Sequence, residues 1–475
     1  MPLILPGNVA SATAGGYEVA NSCRFNAADD PYFSRTLGTA TNRKKFTISV
    51  WVKLGSLVTG DNNEKTIFAA GSDYSGFHLD GNSDPALAFN IDNSDGFSLV
   101  TTQVLRDHSA WYHLVAAVDT TQGTEANRVK FYINGSQVSN FDTSNYPDQN
   151  YEPDINSGVE HRIGKHTTTS GTRQWDGYMA EFVFIDGTQY AASDFGEFNE
   201  DSPTIWQPKD VSGLTFGTNG AYLDFEDSGN LGDDHSTNTN DWAENNLAAT
   251  DQSSDSPTNN FATGNPLAAQ GGSAQSDSLL TFSEGNLIMS ANSETGIANI
   301  GVSAGKWYWE VKVLTDQPGL MIGACNEHFN ITTELCYESP ASASGAKAFG
   351  YYGGNGNSMI VVGDGTSQSY GSAISVNDIV GVALDVDSAD QTCTFYLNGS
   401  SQGSLDITNL GSGESYFPAV GNWSVADIST SWNFGNPTYA NTSSAADAKG
   451  YGDFEYAPPA GFLALCTKNL GSTGG

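Results

Sequence analysis

The sequence predicts an all-β protein of two antiparallel β-sandwich (jelly-roll) domains joined by an acidic polar junction. Two observations lead to this fold class: many short apolar or alternating runs bounded by Gly, Asn, Asp or Pro, and a long polar stretch near the middle of the chain. Helical periodicity is confined to one turn around residues 191–198. Short strands at this spacing, without crossover helices, favour sandwiches.

The polar stretch over residues 221–267 begins as a strand and then turns almost wholly to Asp, Asn, Ser, Thr and Gly. Between positions 227 and 266 its large apolar residues are Leu231, Trp242, Leu247 and Phe261, too few for a core of their own. We therefore predict a junction that wraps one domain and leads to the next. The predicted order is an N-terminal arm (1–21), a first sandwich (22–225), the junction (226–278), a second sandwich (279–440) and a C-terminal tail that packs back (441–475).

The composition is strongly acidic, with 19 Lys and Arg against 54 Asp and Glu and a formal net charge of −35. Such a surface repels a phosphate backbone or an anionic membrane, so we expect no nucleic-acid partner. No apolar run approaches the roughly 20 residues that span a bilayer, and the first residues lack the basic region of a signal peptide. We expect no membrane insertion, and synthesis in the cytoplasm.

Cysteine usage predicts buried free thiols. The five cysteines are odd in number and contain no C-x-x-C pair, which argues against a disulfide scaffold or a zinc site. Cys325 and Cys336 are the one pair close enough in sequence to be tested for a disulfide.

The first region contains FTISVWVKL at residues 46–54, in which Phe46, Ile48 and Val50 share one face of a strand that we expect to turn this face to the core. FYINGSQV at residues 131–138 places Asn134 and Gly135 where a two-residue hairpin needs positive φ. FYLNGS at residues 395–400 repeats the phrase. We expect the same hairpin in both regions.

The order of FTISVWVKL, GFHLD, WYHLVAAVD, FYINGSQV and DGYMAEFVFIDG resembles the concanavalin A-like jelly roll of laminin-G and pentraxin-like domains, across residues 22–225. WYHLVAAVD followed by KFYINGSQV is the most specific part. Pentraxin-like members bind calcium and carbohydrate at one edge. The acidic residues that bind calcium in those domains have no residue-by-residue match in this sequence, so the resemblance does not imply a calcium site here.

The second region resembles a SPRY domain. GKWYWEVKVL at residues 305–314 is similar to the family's opening strand through Gly305, Tyr308, Glu310 and Val311, and IVGVALDVD, TCTFYLNGSSQG, YFPAVG and WNFG follow in the family's order. The resemblance implies a bent β-sandwich without catalytic activity, whose loops bind partners. Because side chains alternate along a strand, either the pair Trp307 and Trp309 or the pair Tyr308 and Glu310 is expected to face outward.

The whole arrangement resembles structural proteins of marine bacteriophages, usually tail fibres or other virion fibres. This implies a homotrimer on the virion surface, held to other virion proteins by the N-terminal arm and adhering to host cell-surface glycan. A structural or decoration protein without a host ligand stays open as the alternative. A glycan depolymerase stays open as a third, if acids assemble from distant strands.

Candidate ligand-binding residues lie in the Gly-rich phrase at residues 351–357. Tyr351 and Tyr352 offer stacking faces, and Asn355 and Asn357 offer hydrogen bonds, as carbohydrate sites often do. The alternative is a hairpin turn with core tyrosines.

Candidate metal ligands lie in the junction, where carboxylates could bind calcium; they are Asp224, Asp227, Asp233 and Asp234, with Asp241 nearby. They do not match the twelve-residue calcium loop, so a solvated acidic linker is the alternative. We expect no other cofactor.

The sequence lacks the motifs of an enzyme. Glycosidases of this fold present several acids along one strand, whereas the nearest acids here, Glu152 with Asp154 and Glu197 with Glu200 and Asp201, fall in predicted loops. There is no Gly-x-Ser-x-Gly elbow, His-Glu-x-x-His or Walker loop. We expect a non-enzymatic protein.

Overall fold

The computed structural model describes residues 16–55, 64–71, 75–80, 85–90, 97–167, 173–268, 280–292, 294–315, 319–329, 335, 346–353, 359–362, 366–387, 389–408, 414–422 and 426–472. The chain divides into two compact units, which we call the N-terminal unit, ending at Thr258, and the C-terminal unit, from Asn259 onward. In the described ranges, no helix has the length and hydropathy needed to cross a membrane.

The strands of the N-terminal unit, in chain order, are β1 (Ser22–Phe25), β2 (Tyr32–Thr36), β3 (Lys45–Leu54), β4 (Lys65–Ala70), β5 (Ser75–Asp80), β6 (Ala86–Asn90), β7 (Ser98–Val104), β8 (Trp111–Asp119), β9 (Val129–Ile133), β10 (Ser136–Gln137), β11 (Phe141–Asn145), β12 (Glu160–Ile163), β13 (Gly177–Asp186), β14 (Gly196–Phe198), β15 (Trp206–Pro208), β16 (Ala221–Leu223), β17 (Ala243–Asn245) and β18 (Gln252–Ser253). Short 3₁₀ turns occupy Ala27–Asp29, Glu125–Asn127, Ala192–Asp194 and Ala249–Asp251.

Two large antiparallel sheets form the sandwich of this unit, and β14 and β15 pair in a separate two-stranded sheet. Sheet A has the order β10-β9-β8-β3-β13-β1-β18, with β16 also paired to β13, and sheet B has the order β11-β7-β6-β5-β4-β12-β2-β17. The core contains fully buried aromatic side chains from both sheets, including Phe46 and Phe184 of sheet A and Phe68 and Phe89 of sheet B. The predicted antiparallel sandwich is confirmed.

The second face of sheet A is also covered, which the sequence did not predict. Val115 and Val183 on this face pack with Phe195, Val211 and neighbours from the segment after β13. Trp51 of β3 is covered on the same face by a second cluster, with Trp111 and Tyr178, and every residue of β3 from Phe46 to Leu54 is buried. The prediction that this strand turns only one face to a core was therefore incomplete.

The predicted Asn-Gly hairpin between β9 and β10 is confirmed. Asn134 and Gly135 have φ values of 47° and 77°, and Ile133 pairs with Ser136 across the turn. A Cβ atom on Gly135 would also lie 2.4 Å from the Trp206 ring, so this position requires glycine for space as well as for conformation.

Most of the predicted junction is part of the N-terminal unit. β17 pairs with β2, and β18 pairs with β1, so the unit extends to Thr258 and not only to residue 225. Trp242 is 1% exposed and packs in the sandwich core with Leu231. The segment builds no core of its own, but its few apolar side chains complete the core of the sandwich.

The elements of the C-terminal unit, in chain order, are β19 (Thr281–Ser283), β20 (Ile288–Ala291), β21 (Thr295–Ile297), β22 (Lys306–Thr315), β23 (Leu320–Asn326), β24 (Ala348–Tyr352), β25 (Met359–Val362), β26 (Thr366–Ser369), β27 (Ile379–Asp385), β28 (Thr392–Leu397), β29 (Ser400–Asp406), β30 (Tyr416–Asn422), β31 (Ile428–Asn433), β32 (Leu463–Ala464) and the helix α1 (Thr467–Ser472).

This unit is a second antiparallel sandwich. Sheet C has the order β19-β20-β31-β22-β27-β28-β29, and sheet D has the order β21-β30-β23-β24-β25-β26. Trp309 and Trp432 of sheet C and Phe349 of sheet D belong to one buried cluster between them. The FYLNGS hairpin is confirmed as well, since Asn398 and Gly399 have φ values of 48° and 78°.

The expectation that one pair of side chains in the WYWE stretch faces outward was wrong. Trp307, Tyr308, Trp309 and Glu310 are all at most 1% exposed. The C-terminal tail supplies the missing cover: β32 pairs in parallel with β22, and the ring of Phe454 packs edge-on against Tyr308 at 5.2 Å. Glu310 accepts hydrogen bonds from the backbone N–H groups of residues 455 and 456 at 3.0 and 2.8 Å.

Four cysteines, Cys23, Cys325, Cys393 and Cys466, are buried free thiols, as predicted for them. Burial raises the pKa of the Cys466 thiol to about 12. Cys336, the candidate partner of Cys325, lies outside the described residues.

Candidate functional site

An open pocket of about 550 Å³ lies at the edge of sheet B. Its lining residues are all uncharged; they are Thr102, Ser139, Asn140, Phe141, Ser144 and Tyr146. Two aromatic rings therefore lie beside hydroxyl and amide groups in one concave surface.

The edge strand β11 positions this pocket. It pairs with β7, and the register shifts between Phe141 and Thr143, which marks a bulge. The Phe141 ring packs 5.8 Å from Phe131 of the core and meets Tyr146 at 6.4 Å, edge to face at 77°. The aromatic pair thus packs against the sandwich core, and both residues stay partly exposed.

The rim of the pocket is fixed by backbone contacts. The backbone N–H of Thr102 donates to the carbonyl oxygen of Asn140 at 3.3 Å, and the Thr102 hydroxyl donates to the same oxygen at 3.4 Å. This arrangement ties β7 to the turn before β11. The Asn140 side chain is exposed and can meet a ligand.

The electrostatics of the pocket suit a neutral ligand. Partial burial and the negative charge of Glu125 raise the pKa of Tyr146, so its phenol keeps its proton at neutral pH. Asp142, on the same edge strand, is exposed. Aromatic faces with hydroxyl and amide groups are typical of carbohydrate sites.

The structure separates the predicted ligand-binding residues. Tyr351 is fully buried in the core of the C-terminal unit, where its hydroxyl donates to the carbonyl oxygen of Ser372 and its ring packs on Tyr370 and Phe395. It therefore offers no stacking face, and the alternative of a core tyrosine holds for it. Tyr352 is half-buried on the other side of β24, against a small cluster that includes Met321. Asn355 and Asn357 lie outside the described residues.

The candidate metal ligands of the junction are engaged in local hydrogen bonds. Asp224 lies 3.0 Å from Nδ1 of His235, which is 3.8 Å from Asp233. Asp227 accepts the backbone N–H of Gly229 at 2.9 Å. These contacts occupy the carboxylates with groups of their own segment.

Asp234 has the most such contacts. It accepts the backbone N–H groups of Tyr222 at 2.8 Å, Ser236 at 2.8 Å and Asn240 at 2.6 Å, while its own N–H donates to Asp241 at 3.2 Å. In the part of the chain that is described, no group of three or more His, Cys, Asp or Glu side chains is arranged to hold a metal ion. The aspartates instead fold the segment onto the sandwich.

A buried Ser-His contact on the covered face of sheet A does not form a nucleophile pair. Nε2 of His113 lies 2.8 Å from the Ser49 hydroxyl, and the indole N–H of Trp206 donates to Nδ1 at 3.0 Å. Because Nδ1 accepts the hydrogen bond from Trp206, the hydrogen of the neutral ring is on Nε2. The imidazole therefore cannot take the Ser49 proton. Burial lowers the pKa of His113 to about 3.

Two acids of the N-terminal unit have structural partners: Glu152, which the sequence analysis considered for catalysis, and Glu181, which it did not. Glu152 forms ion pairs with Arg43 at 3.4 Å and Lys44 at 3.7 Å. Glu181, buried in the bulge of β13, accepts the Tyr222 hydroxyl at 2.8 Å. Burial raises the pKa of Glu181 to about 8.

Phe141 and Tyr146, the aromatic pair of the pocket, were missed at the sequence level. They begin and end the phrase FDTSNY, a polar stretch without the alternation of a half-buried strand. Their closeness depends on the bulge in β11, and no residue type in this stretch predicts a bulge. Two aromatics five positions apart among Ser, Thr and Asn were the only signal available.

Both units belong to the class of antiparallel sandwiches, and the comparisons with known proteins agree. A family model described as the concanavalin A-like lectin/glucanases superfamily (Laminin_G_3) matches residues 28–192, and the SPRY domain model matches residues 306–436. No curated protein matches the chain.

Among solved structures, the chain is similar to a human SPRY domain, with 18% identity over 33% of this chain and 93% of that one and a TM-score of 0.24. It is also similar to the SPRY domain of human HERC1, with 13% identity over 31% of this chain and 87% of that one and a TM-score of 0.25. A heptameric SAP-like pentraxin from Limulus polyphemus has 15% identity over 37% of this chain and 80% of that one, with a TM-score of 0.28.

Proposed function

We propose that the protein is a non-enzymatic fibre protein of a bacteriophage virion, which adheres to glycan on the host surface through the pocket at the edge of sheet B. The observation that carries this proposal is the pairing of Phe141 and Tyr146 with hydroxyl and amide groups in one concave surface. A sugar ring stacks its C–H face on an aromatic side chain and bonds its hydroxyls to such groups.

The domain families support a binding role. A concanavalin A-like domain and a SPRY domain are both frameworks that present ligand-binding surfaces without needing a catalytic centre. The proposed place on the virion surface, the attachment through the N-terminal arm and the homotrimer rest on the resemblance to phage fibres. Three linked pockets would convert weak single-site binding into avidity, by a factor of roughly 10²–10⁴ where the geometry allows joint binding.

Two features support the absence of catalysis in this proposal. The Ser49–His113 contact carries its proton on the wrong nitrogen for nucleophile activation. Glu181 and Glu310 are enclosed, at 5% and 0% exposure, and each is hydrogen-bonded to a tyrosine hydroxyl of its own unit. Neither can reach a bound polysaccharide.

The test is binding of the purified full chain to a panel of bacterial-surface glycans, with and without calcium, while light scattering reports the oligomeric state. We expect saturable binding by a trimer that does not depend on calcium. Phe141→Ala and Tyr146→Ala should each weaken single-site binding about tenfold or more, equivalent to about 1.4 kcal/mol. Phe198→Ala, which removes an aromatic ring that is 47% exposed elsewhere on the unit, is the matched control.

Other outcomes would redirect the proposal. Binding that is lost in chelator but unchanged in Phe141→Ala would place the ligand at a metal-dependent site instead of the pocket. A well-folded oligomer that binds no glycan would favour the alternative, a structural virion protein without a host ligand.

A further inference from the structure

A lysine and an aspartate meet inside the N-terminal unit with no exposed surface. Lys53 lies near the end of β3, and Asp255 lies two residues beyond β18, 202 positions along the chain. Nζ of Lys53 is 2.6 Å from Oδ2 of Asp255, and both side chains are 0% exposed. The pair lies on the covered face of sheet A.

Aromatic side chains surround the two groups. Trp111 of β8 and Tyr178 of β13 are the cross-strand neighbours of Lys53. The indole N–H of Trp111 donates to Oδ1 of Asp255 at 3.0 Å, and the Lys53 nitrogen is 5.6 Å from the centre of the Tyr178 ring. One carboxylate oxygen thus faces the amine while the other faces a hydrogen-bond donor.

This environment disfavours a pair of charges. Removing an ammonium and a carboxylate from water costs several kcal/mol per ion, which their attraction repays only in part. Burial lowers the pKa of Lys53 despite the opposing effect of Asp255 and Asp107, whose negative charges raise it. Transfer of one proton across the short contact gives a neutral amine beside a neutral carboxylic acid.

The same geometry suits bond formation. A nitrogen this close to a carboxyl oxygen lies about 3–3.5 Å from the carboxyl carbon, the separation of a near-attack arrangement. We propose that Lys53 and Asp255 become joined by an intramolecular amide (isopeptide) bond, which forms within the folded unit with the loss of one water molecule.

The reaction balances without an external reagent. The lone pair of Nζ attacks Cγ of the protonated Asp255 carboxyl, and negative charge develops on Oδ1, where the Trp111 N–H stabilises it. Nζ then gives a proton to Oδ2, and the Cγ–Oδ2 bond breaks to release water. No atom is oxidised or reduced.

The bond would fasten the end of the N-terminal unit. Asp255 lies three residues before Thr258, where the unit ends, and Lys53 lies on a central strand of sheet A. A covalent link here closes a loop of 202 positions and prevents β18 from peeling away under load. This matters for any protein that is pulled through its chain ends.

The test is the intact mass of the full chain after complete denaturation, followed by mapping of proteolytic peptides. We expect a mass about 18 Da below that of the sequence, equal to one water, and a branched peptide that joins Lys53 to Asp255. Lys53→Met and Asp255→Ala should each restore the full sequence mass. Lys165→Met is the control, because Lys165 pairs with Asp30 at a site where the side chains are 19% and 42% exposed; it should keep the deficit.

The wild-type measurement decides the proposal even if the variants fold poorly. A wild-type chain with the full sequence mass would show an ordinary buried ion pair and overturn the proposal. A deficit that persists in Lys53→Met would also overturn it, because the water would then come from another residue. Asp255→Asn gives a further check, since loss of ammonia from the asparagine would yield the same linked product as loss of water from the aspartate.

Discussion

Glu181 has two unfavourable features: its φ is +50°, and the residue is only 5% exposed although it carries a carboxyl group. Burial, with the negative charge of Asp224, raises its pKa from 4.5 to about 8. Between these pH values the folded chain keeps a proton that the unfolded chain has released, so the free energy of unfolding falls as pH rises.

Glu181→Gln removes this titration while keeping an oxygen for the Tyr222 hydroxyl. We expect wild-type stability to fall by roughly a few kcal/mol from about pH 5 to about pH 8.5, and the variant to fall much less. Urea unfolding followed by tryptophan fluorescence measures the difference. Glu197→Gln, at an exposed position, is the control and should follow the wild type. Parallel curves for wild type and Glu181→Gln would contradict the assignment.

Trp206 stabilises the buried imidazole of His113 through one hydrogen bond. Its indole N–H donates to Nδ1 of His113, whose ring stacks between Trp206 at 6.0 Å and Trp51 at 4.8 Å. Trp206→Phe keeps an aromatic ring but leaves Nδ1 without its donor, so we expect a loss of about 1–3 kcal/mol. Thermal unfolding measures it. Phe198→Leu on the same hairpin should change stability by less than about 0.5 kcal/mol; equal losses would mean that the hydrogen bond contributes nothing.

At the scale of elements, the segment after β16 tests where the first domain ends. Trp242 lies in sequence among Asp, Asn and Thr, yet it packs against Phe68 and Phe182 of the sandwich core. Trp242→Ala should destabilise the N-terminal unit by about 3–5 kcal/mol, as other large-to-small core changes do. Calorimetry of the full chain should show this unit unfolding earlier, with the transition of the C-terminal unit unchanged.

Leu247→Ala is the control for that experiment, because Leu247 is only partly buried at the margin of the same core. Leu247→Ala should lower the free energy of unfolding clearly less than Trp242→Ala does. If Trp242→Ala left both transitions in place, residues 226–258 would act as a linker and not as part of the sandwich.

The elements that sequence predicted well are those set by local chemistry. Asn134-Gly135 and Asn398-Gly399 adopt positive φ because few other residue pairs can, so the hairpins follow from four residues. Alternation likewise separates Tyr351 from Tyr352, but it cannot say which of them faces inward. That choice depends on Phe395, which is distant in sequence.

The sequence did not reveal which distant segments cover the outer faces of the sheets. The second face of sheet A needs Phe195 and Val211, and the outer face of β22 needs Phe454, all brought in from later segments. Asp255 illustrates the same limit, because nothing around it in sequence points to Lys53. The pocket at the edge of sheet B depends on a bulge and was equally invisible.

At the scale of the whole molecule, the excess of acid over base predicts how salt acts on stability. The net charge of −35 produces self-repulsion in the folded state, which salt screens over a distance of about 10 Å at 0.1 M and about 3 Å at 1 M. We expect the Tm at about pH 8 to rise by several degrees between these salt concentrations.

The control is the same measurement of Tm against salt concentration near the pI of about 4.2, because the repulsion between like charges is small there. Glycan binding in the pocket at the edge of sheet B should change little with salt at about pH 8, since its lining is uncharged and charge screening acts on charged partners. Calorimetry in sodium chloride at both pH values, with binding measured in the same buffers, separates these effects. A rise in Tm of the same size at both pH values would mean that salt acts through apolar burial and not through the net charge.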